Sequence, residues 1–205
     1  LFFDNTPPEV SGLYPKTGSF INVAELSYSL NEDLIEGFVV WSPIDGTQPV
    51  KIDMLSNELL AGTFGIGTLN GQIGLADGVV YNVEISIKDK ALNETNSTLA
   101  ENITFDVTKP EFTQVSPVAS SRVNTQTVSW NVNENLQSGK YTWIHMGGEP
   151  DPAAPHEFNL SDDLLKPGFG DNSKLPSLNL VVNAMYRITL EGTDLAGNTG
   201  KKFVM

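Results

Sequence analysis

The sequence predicts an all-β chain folded as two tandem β-sandwiches of about seven strands each. Three observations point there. Apolar and polar residues alternate in short runs: Leu26, Tyr28 and Leu30 with Ser27 and Ser29, then Tyr81, Val83, Ile85 and Ile87 with Asn82, Glu84 and Ser86. A period of two belongs to half-buried strands with one face on a core. Turn residues interrupt the runs about every ten residues, the rhythm of a sandwich. Finally, the chain repeats itself: "FDNTPPE" at 3–9 returns as "FDVTKPE" at 105–111, 102 positions later.

The repeat covers nearly the whole chain. "LSYSLNEDLIEGFVVW" at 26–41 returns at the same offset as "VSWNVNENLQSGKYTW" at 128–143. Asn31, Glu32, Leu34, Gly37 and Trp41 thus recur as Asn133, Glu134, Leu136, Gly139 and Trp143. "LSNELLAGTF" at 55–64 matches "LSDDLLKPGF" at 160–169, and "YNVEISIKDKALN" at 81–93 matches "YRITLEGTDLAGN" at 186–198, both at an offset of 105. Three residues are therefore inserted in between, and two copies of one module of about 100 residues remain.

In chain order, the first copy is expected to place strands near 8–14, 25–31, 37–43, 50–55, 72–76, 80–89 and 99–106, with the same set in the second copy. The Gly-rich "GTFGIGTLNG" at 62–71 reads as a loop. "SNELL" and "SDDLL" each read as one helical turn capped by Ser56 and Ser161. The repeated heptapeptide is the module boundary. Residues 1–6 are expected to be the end of a preceding repeat and a linker, 7–107 the first repeat and 108–205 the second. Phe3 and Phe105 would close a module, and Pro7, Pro8 and Pro110 stiffen the joint. A further module is expected upstream, with "KKFVM" a last strand cut short.

Composition narrows the chemistry. Apolar residues make up 40% of the 205, enough for packed cores. No run of about 18 apolar residues exists to span a membrane. The absence of cysteine excludes a thiol nucleophile, a Cys-ligated zinc and an iron–sulfur cluster. A formal charge of −13 makes nucleic acid and anionic membranes poor partners and cations natural ones.

Tyr81 follows Leu75, and Tyr186 follows Leu180, each by six residues. A Tyr opening a late strand behind such a Leu resembles the tyrosine corner of immunoglobulin-like and fibronectin type III sandwiches. Trp41 and Trp143 fit a buried aromatic of an early strand. The opening "DxxPPE" or "DxTxPE", then "NExL…G…W", then "DxAxN" after a Y-x-V/I strand together resemble bacterial immunoglobulin-like (Big-type) repeats of large secreted or surface-attached proteins. The resemblance implies a non-catalytic extracellular module, part of a repeat stalk or adhesin on a bacterial surface, with neighbouring repeats as its partners. The alternative is an accessory module of a secreted multidomain protein that binds carbohydrate or protein. The first copy departs from the pattern: "DKALN" lacks the glycine that "DLAGN" has at 197, so its turn must use Asn93 or relax.

No catalytic motif is present: there is no G-x-S-x-G, no P-loop and no Gly-rich dinucleotide fingerprint before a helix. His145 and His156 have no counterparts in the first copy and read as surface decoration. One constellation is more promising. In an immunoglobulin-like sandwich the chain entry and two of the loops share a pole. That would gather Asp106, Glu134, Asp194 and Asn198 for the second copy, and Asp4, Glu32, Asp89 and Asn93 for the first. Calcium takes such hard oxygens. The competing reading is that these residues only satisfy turn amides. Symmetry separates spacer from binder, because a binder should differ in one copy only. "HMGGEPDPAAPHEF" at 145–158 is such a difference.

Overall fold

The computed structural model describes residues 1, 3–65, 74–173, 175 and 177–205. The chain forms two compact units, Leu1–Val107 and Thr108–Met205. Each is a sandwich of two sheets around its own core, and the strand orders are those of immunoglobulin-like and fibronectin type III domains.

The first unit holds β1 (Val10–Tyr14), β2 (Phe20–Ile21), β3 (Ser27–Leu30), β4 (Leu34–Pro43), β5 (Val50–Asp53), β6 (Gly62–Phe64), β7 (Val80–Asp89) and β8 (Glu94–Phe105). One sheet runs β1-β3-β6 and the other β2-β8-β7-β4-β5. All pairings are antiparallel except β2 with β8. The alternation read in the sequence is the burial pattern. Val83, Ile85 and Ile87 of β7 lie beside Val39 and Trp41 of the neighbouring β4 on the core face of the same sheet, while Asn82, Glu84 and Ser86 face outward. Trp41 is fully buried, which for a side chain of this size contributes about 3 kcal/mol.

The second unit holds β9 (Phe112–Ser116), β10 (Ser129–Val132), β11 (Leu136–Gly148), β12 (His156–Asn159), β13 (Gly168–Asp171), β14 (Ala184–Asp194) and β15 (Thr199–Val204). Its sheets run β13-β10-β9 and β12-β11-β14-β15. Trp130, Tyr141, Trp143 and Leu190 centre the core.

Three expectations change. Residues 74–76 are not a strand, while 72–73 lie outside the described residues. The strand that completes the small sheet is instead β6, at the start of the stretch read as a loop; residues 66–71 of that stretch lie outside the described residues. Tertiary contacts make β6: Phe64 stacks on Tyr28 at 5.1 Å, and its carbonyl accepts the Ser27 hydroxyl at 2.9 Å. Neither expected serine cap forms. Asp162–Leu165 is a short 3-10 helix, but the Ser161 side chain makes no capping bond. At 55–58 there is only a turn, closed by the Glu58 N–H on the Leu55 carbonyl. Here the Glu58 carboxyl, not Ser56, reaches the first free amide, Leu55 N–H, at 2.7 Å.

The repeated glycines have a packing reason. A Cβ on Gly37 would lie 2.5 Å from the Met54 sulfur, and one on Gly139 would lie 2.8 Å from Leu160 Cδ1. The chain crosses close over both positions, so a side chain there would push it away.

Candidate functional site

The boundary motif works through its asparagines. Asn31 Oδ1 accepts the Glu9 N–H at 2.7 Å, and Asn133 Oδ1 accepts the Glu111 N–H at the same distance. The return bonds run from the Asn31 and Asn133 amides to the Glu9 and Glu111 carbonyls. The "PE…NE" pattern is thus a clamp holding the first strand of each sandwich onto the turn after its third or second strand.

Asp89 closes β7 and organises the turn into β8. Its Oδ1 accepts the Ala91 and Asn93 amides at 2.7 and 2.9 Å, and its Oδ2 accepts Asn93 Nδ2 at 2.8 Å. Burial pushes the Asp89 pKa up, but these donors outweigh it and the net shift is downward. Asp194 repeats the arrangement: its Oδ1 accepts Ala196 and Asn198 amides at 2.8 Å each, and Oδ2 accepts Asn198 Nδ2 at 2.9 Å. The turn geometry is therefore shared despite the missing glycine. Leu92 takes the left-handed position, φ 70°, that Gly197 fills at φ 93°. Asn93, expected to absorb the strain, does not.

At this pole of the first unit Asp4, Glu32 and Asp89 each present a carboxylate oxygen within 4.8 Å of the others. Burial pushes the Glu32 pKa up, and the charges of Asp89, Asp4 and Asp33 add to it. Asn93 enters through its amide nitrogen, which also donates to the Asp4 and Thr6 carbonyls at 3.5 and 3.2 Å. In the second unit Glu134 and Asp194 likewise bring oxygens within 4.8 Å. Asp106 belongs to the end of the first unit, where its N–H donates to the Ile21 carbonyl at 2.9 Å.

The tyrosines are corners. Tyr81 Oη accepts the Ala76 N–H at 2.8 Å, and Tyr186 Oη accepts the Val181 N–H at 3.0 Å. Each ring packs edge-on against the buried Trp of its unit, Trp41 or Trp143. The Trp pair is core and offers no platform to a ligand.

The excursion at 145–158 elaborates the second corner. Tyr186 also donates its hydroxyl to Asp151 Oδ2 at 2.5 Å. His156 Nε2 donates to the same oxygen at 2.7 Å, and the Ala153 amide reaches Oδ1 at 3.0 Å. The Asp151 side chain is 1% exposed and that of His156 11%. The Tyr186 hydroxyl and then His156 hold the Asp151 carboxyl at about 2, well below the usual range. His156 is thus a buried partner and not surface decoration. His145 lies beside it, edge-on to Tyr186 and bonded to the Glu149 carbonyl at 3.0 Å. Asp151 was not singled out in the sequence, although it lies within the one-copy excursion at 145–158.

No protein-family model matches the chain, and no curated protein sequence matches it. Among solved structures it is similar to the FN1–FN3 domains of chicken CNTN1, at 13% identity and TM-score 0.40, over 98% of this chain and 69% of that one. It is also similar to a tetra-tandem repeat in the extending region of a large adhesion protein, at 17% identity and TM-score 0.35, over 97% of this chain and 48% of that one. A third is the IG1+IG2 pair of DIP-gamma, at 12% identity and TM-score 0.32, over 97% and 96%. Among the described residues no helix is long and apolar enough to cross a membrane.

Proposed function

We propose that the chain is a non-catalytic pair of repeats, 7–107 and 108–205, from a stalk or adhesin on a bacterial surface, and that it takes calcium at the loop pole. The reading is carried by the excursion at 145–158. There a ligand binder would differ from a spacer, and there His156, Asp151 and Tyr186 bond to one another beneath the surface. The groups that would recognise a ligand stabilise the corner instead. The repeat motifs support the non-catalytic part of this reading, since Asn31, Asn133, Asp89 and Asp194 all bond backbone amides.

In the first repeat Asp4, Glu32 and Asp89 would hold the ion, with Asn93 tying the entry segment to the turn. The sequence offset gives the corresponding role to Glu134, Asp194 and Asn198, with Asp106 the counterpart of Asp4. Clustered carboxylates repel, and a divalent cation removes that repulsion. An ion bound only by the folded state adds about 2.7 kcal/mol at a hundredfold excess over its dissociation constant. The test is a melt of the whole chain in calcium against chelator, on wild type and on Glu32→Gln. This substitution is chosen because Asp89 also builds its turn. Calcium should raise the melting temperature of the wild type, and Glu32→Gln should lose most of the first repeat's share. Equal melting temperatures with and without calcium would exclude the ion and leave the carboxylates as turn formers.

A further inference from the structure

Glu58 is the most anomalous charge in the first unit. It is 0% exposed. Its Oε2 accepts the Leu55 N–H at 2.7 Å, while its Oε1 is buried with no hydrogen-bond partner among the described residues. The segment carrying it, Met54–Ala61, crosses between the sheets and is pinned at both ends. The Met54 N–H donates to the Gly37 carbonyl at 2.9 Å, and the Ala61 N–H to Asp33 Oδ1 at 3.0 Å. Between these, the Leu34 N–H donates to the Leu59 carbonyl at 2.7 Å.

Among the described residues no cation offsets the buried carboxyl. Burial raises its pKa, and among the described residues only the Leu55 amide lowers it. The titratable side chain facing it from β3 is Tyr28, which is fully buried and donates its hydroxyl to the Glu58 carbonyl at 3.4 Å. Burial and then the Glu58 charge push the Tyr28 hydroxyl far up, so Tyr28 stays neutral. The nearby acid of the β3–β4 turn, Asp33, is held by the Ala61 amide and by Lys90 at 3.0 Å. Lys90 is thereby engaged with Asp33 rather than with Glu58.

We propose that Glu58 is a proton-controlled latch: Met54–Ala61 stays packed into the first sandwich while the carboxyl is protonated, and loosens when it ionises. An ionised carboxylate with one unmatched oxygen is far costlier to bury than a neutral acid. The sign follows from linkage. The folded state binds the proton more tightly than the unfolded state, so this group's contribution is full at low pH and lost as pH rises through the folded pKa. That is the reverse of the usual carboxylate. The second repeat has no latch. There the aligned Asp163 is exposed and pairs with Lys166 at 2.8 Å.

The test uses the full chain. Carboxyl 13C NMR titration of the wild type should place the Glu58 midpoint above the ordinary 4.5. The Leu55 amide, corrected for intrinsic exchange, should lose hydrogen-exchange protection as pH rises through that midpoint. In Glu58→Gln, which keeps an acceptor for that amide, protection should be independent of pH over the same range. A Glu58 midpoint at or below 4.5 would overturn the proposal, because the carboxyl would then be solvated. Matching pH profiles for wild type and variant would overturn it too. Should the variant fail to fold, the wild-type titration still decides.

Discussion

Replacing Leu92 by glycine should stabilise the first repeat. Leu92 sits at φ 70° with 66% of its surface exposed, so its side chain adds little burial to set against the backbone strain. A non-glycine residue in the left-handed region costs roughly 1–2 kcal/mol. Glycine gives back about 0.5–1 kcal/mol, because its unfolded chain has more freedom to lose. The balance favours Leu92→Gly by about 0.5–1 kcal/mol, which for a domain of this size shifts the melting temperature by roughly 2–6 °C. The turn survives as leucine because it is overdetermined. Asp89 accepts the amides on both sides of Leu92, and the Leu92 N–H itself donates to the Asp89 carbonyl at 3.2 Å.

Calorimetry of the full chain, with the two transitions assigned by repeat, measures the effect. The reciprocal change, Gly197→Leu, should lower the stability of the second repeat by about the same net 0.5–1 kcal/mol. If Leu92→Gly were neutral or destabilising while Gly197→Leu cost its full amount, the two turns would differ in energy despite sharing hydrogen bonds. The argument from φ alone would then fail.

Two further outcomes follow from the tyrosine corners. Tyr186→Phe removes the acceptor for Val181 N–H and one donor to Asp151, and should cost about 1–2 kcal/mol in a urea melt. Tyr81→Phe loses only the bond from Ala76 N–H, and should cost about 1 kcal/mol or less. In acid, Asp151 should make the second repeat labile. Its folded pKa, about 2, lies below the unfolded value, so its contribution is full above about pH 4 and is lost as pH falls toward 2. The melting-temperature gap between wild type and Asp151→Asn should therefore shrink over that interval, and a constant gap would mean Asp151 is solvated when folded.

What was legible in the sequence was local or periodic. β7 announces itself through Tyr81, Val83, Ile85 and Ile87, because each alternate residue meets the core. The tyrosine corners were legible because a fixed spacing carries them. β2 and β6 were not. β2 is two residues long and exists through pairing with β8, some 80 residues away. β6 depends on Phe64 finding Tyr28, which no window around Gly62 contains. The acidic pole was only half legible: the loop arrangement of an immunoglobulin-like sandwich suggested which carboxylates to group, not how fully Asp89 and Asp194 are bonded to their own turns.

The two carboxyls that the sequence concealed, Asp151 and Glu58, show why burial alone is not a functional signal. Both are acids buried in one copy only. They nevertheless shift in opposite directions. Asp151 has three donors, the Tyr186 hydroxyl, the His156 ring and the Ala153 amide, and stays charged at little cost. Glu58 has one among the described residues, the Leu55 amide, and its second oxygen is buried without a hydrogen-bond partner there. The donor count decides whether a buried carboxyl locks its loop by holding its charge or by giving it up. The donors to Asp151 lie 2, 5 and 35 residues away along the chain. No sequence window shows such a set, so the acid-labile corner and the base-labile latch become distinguishable only once the chain is folded.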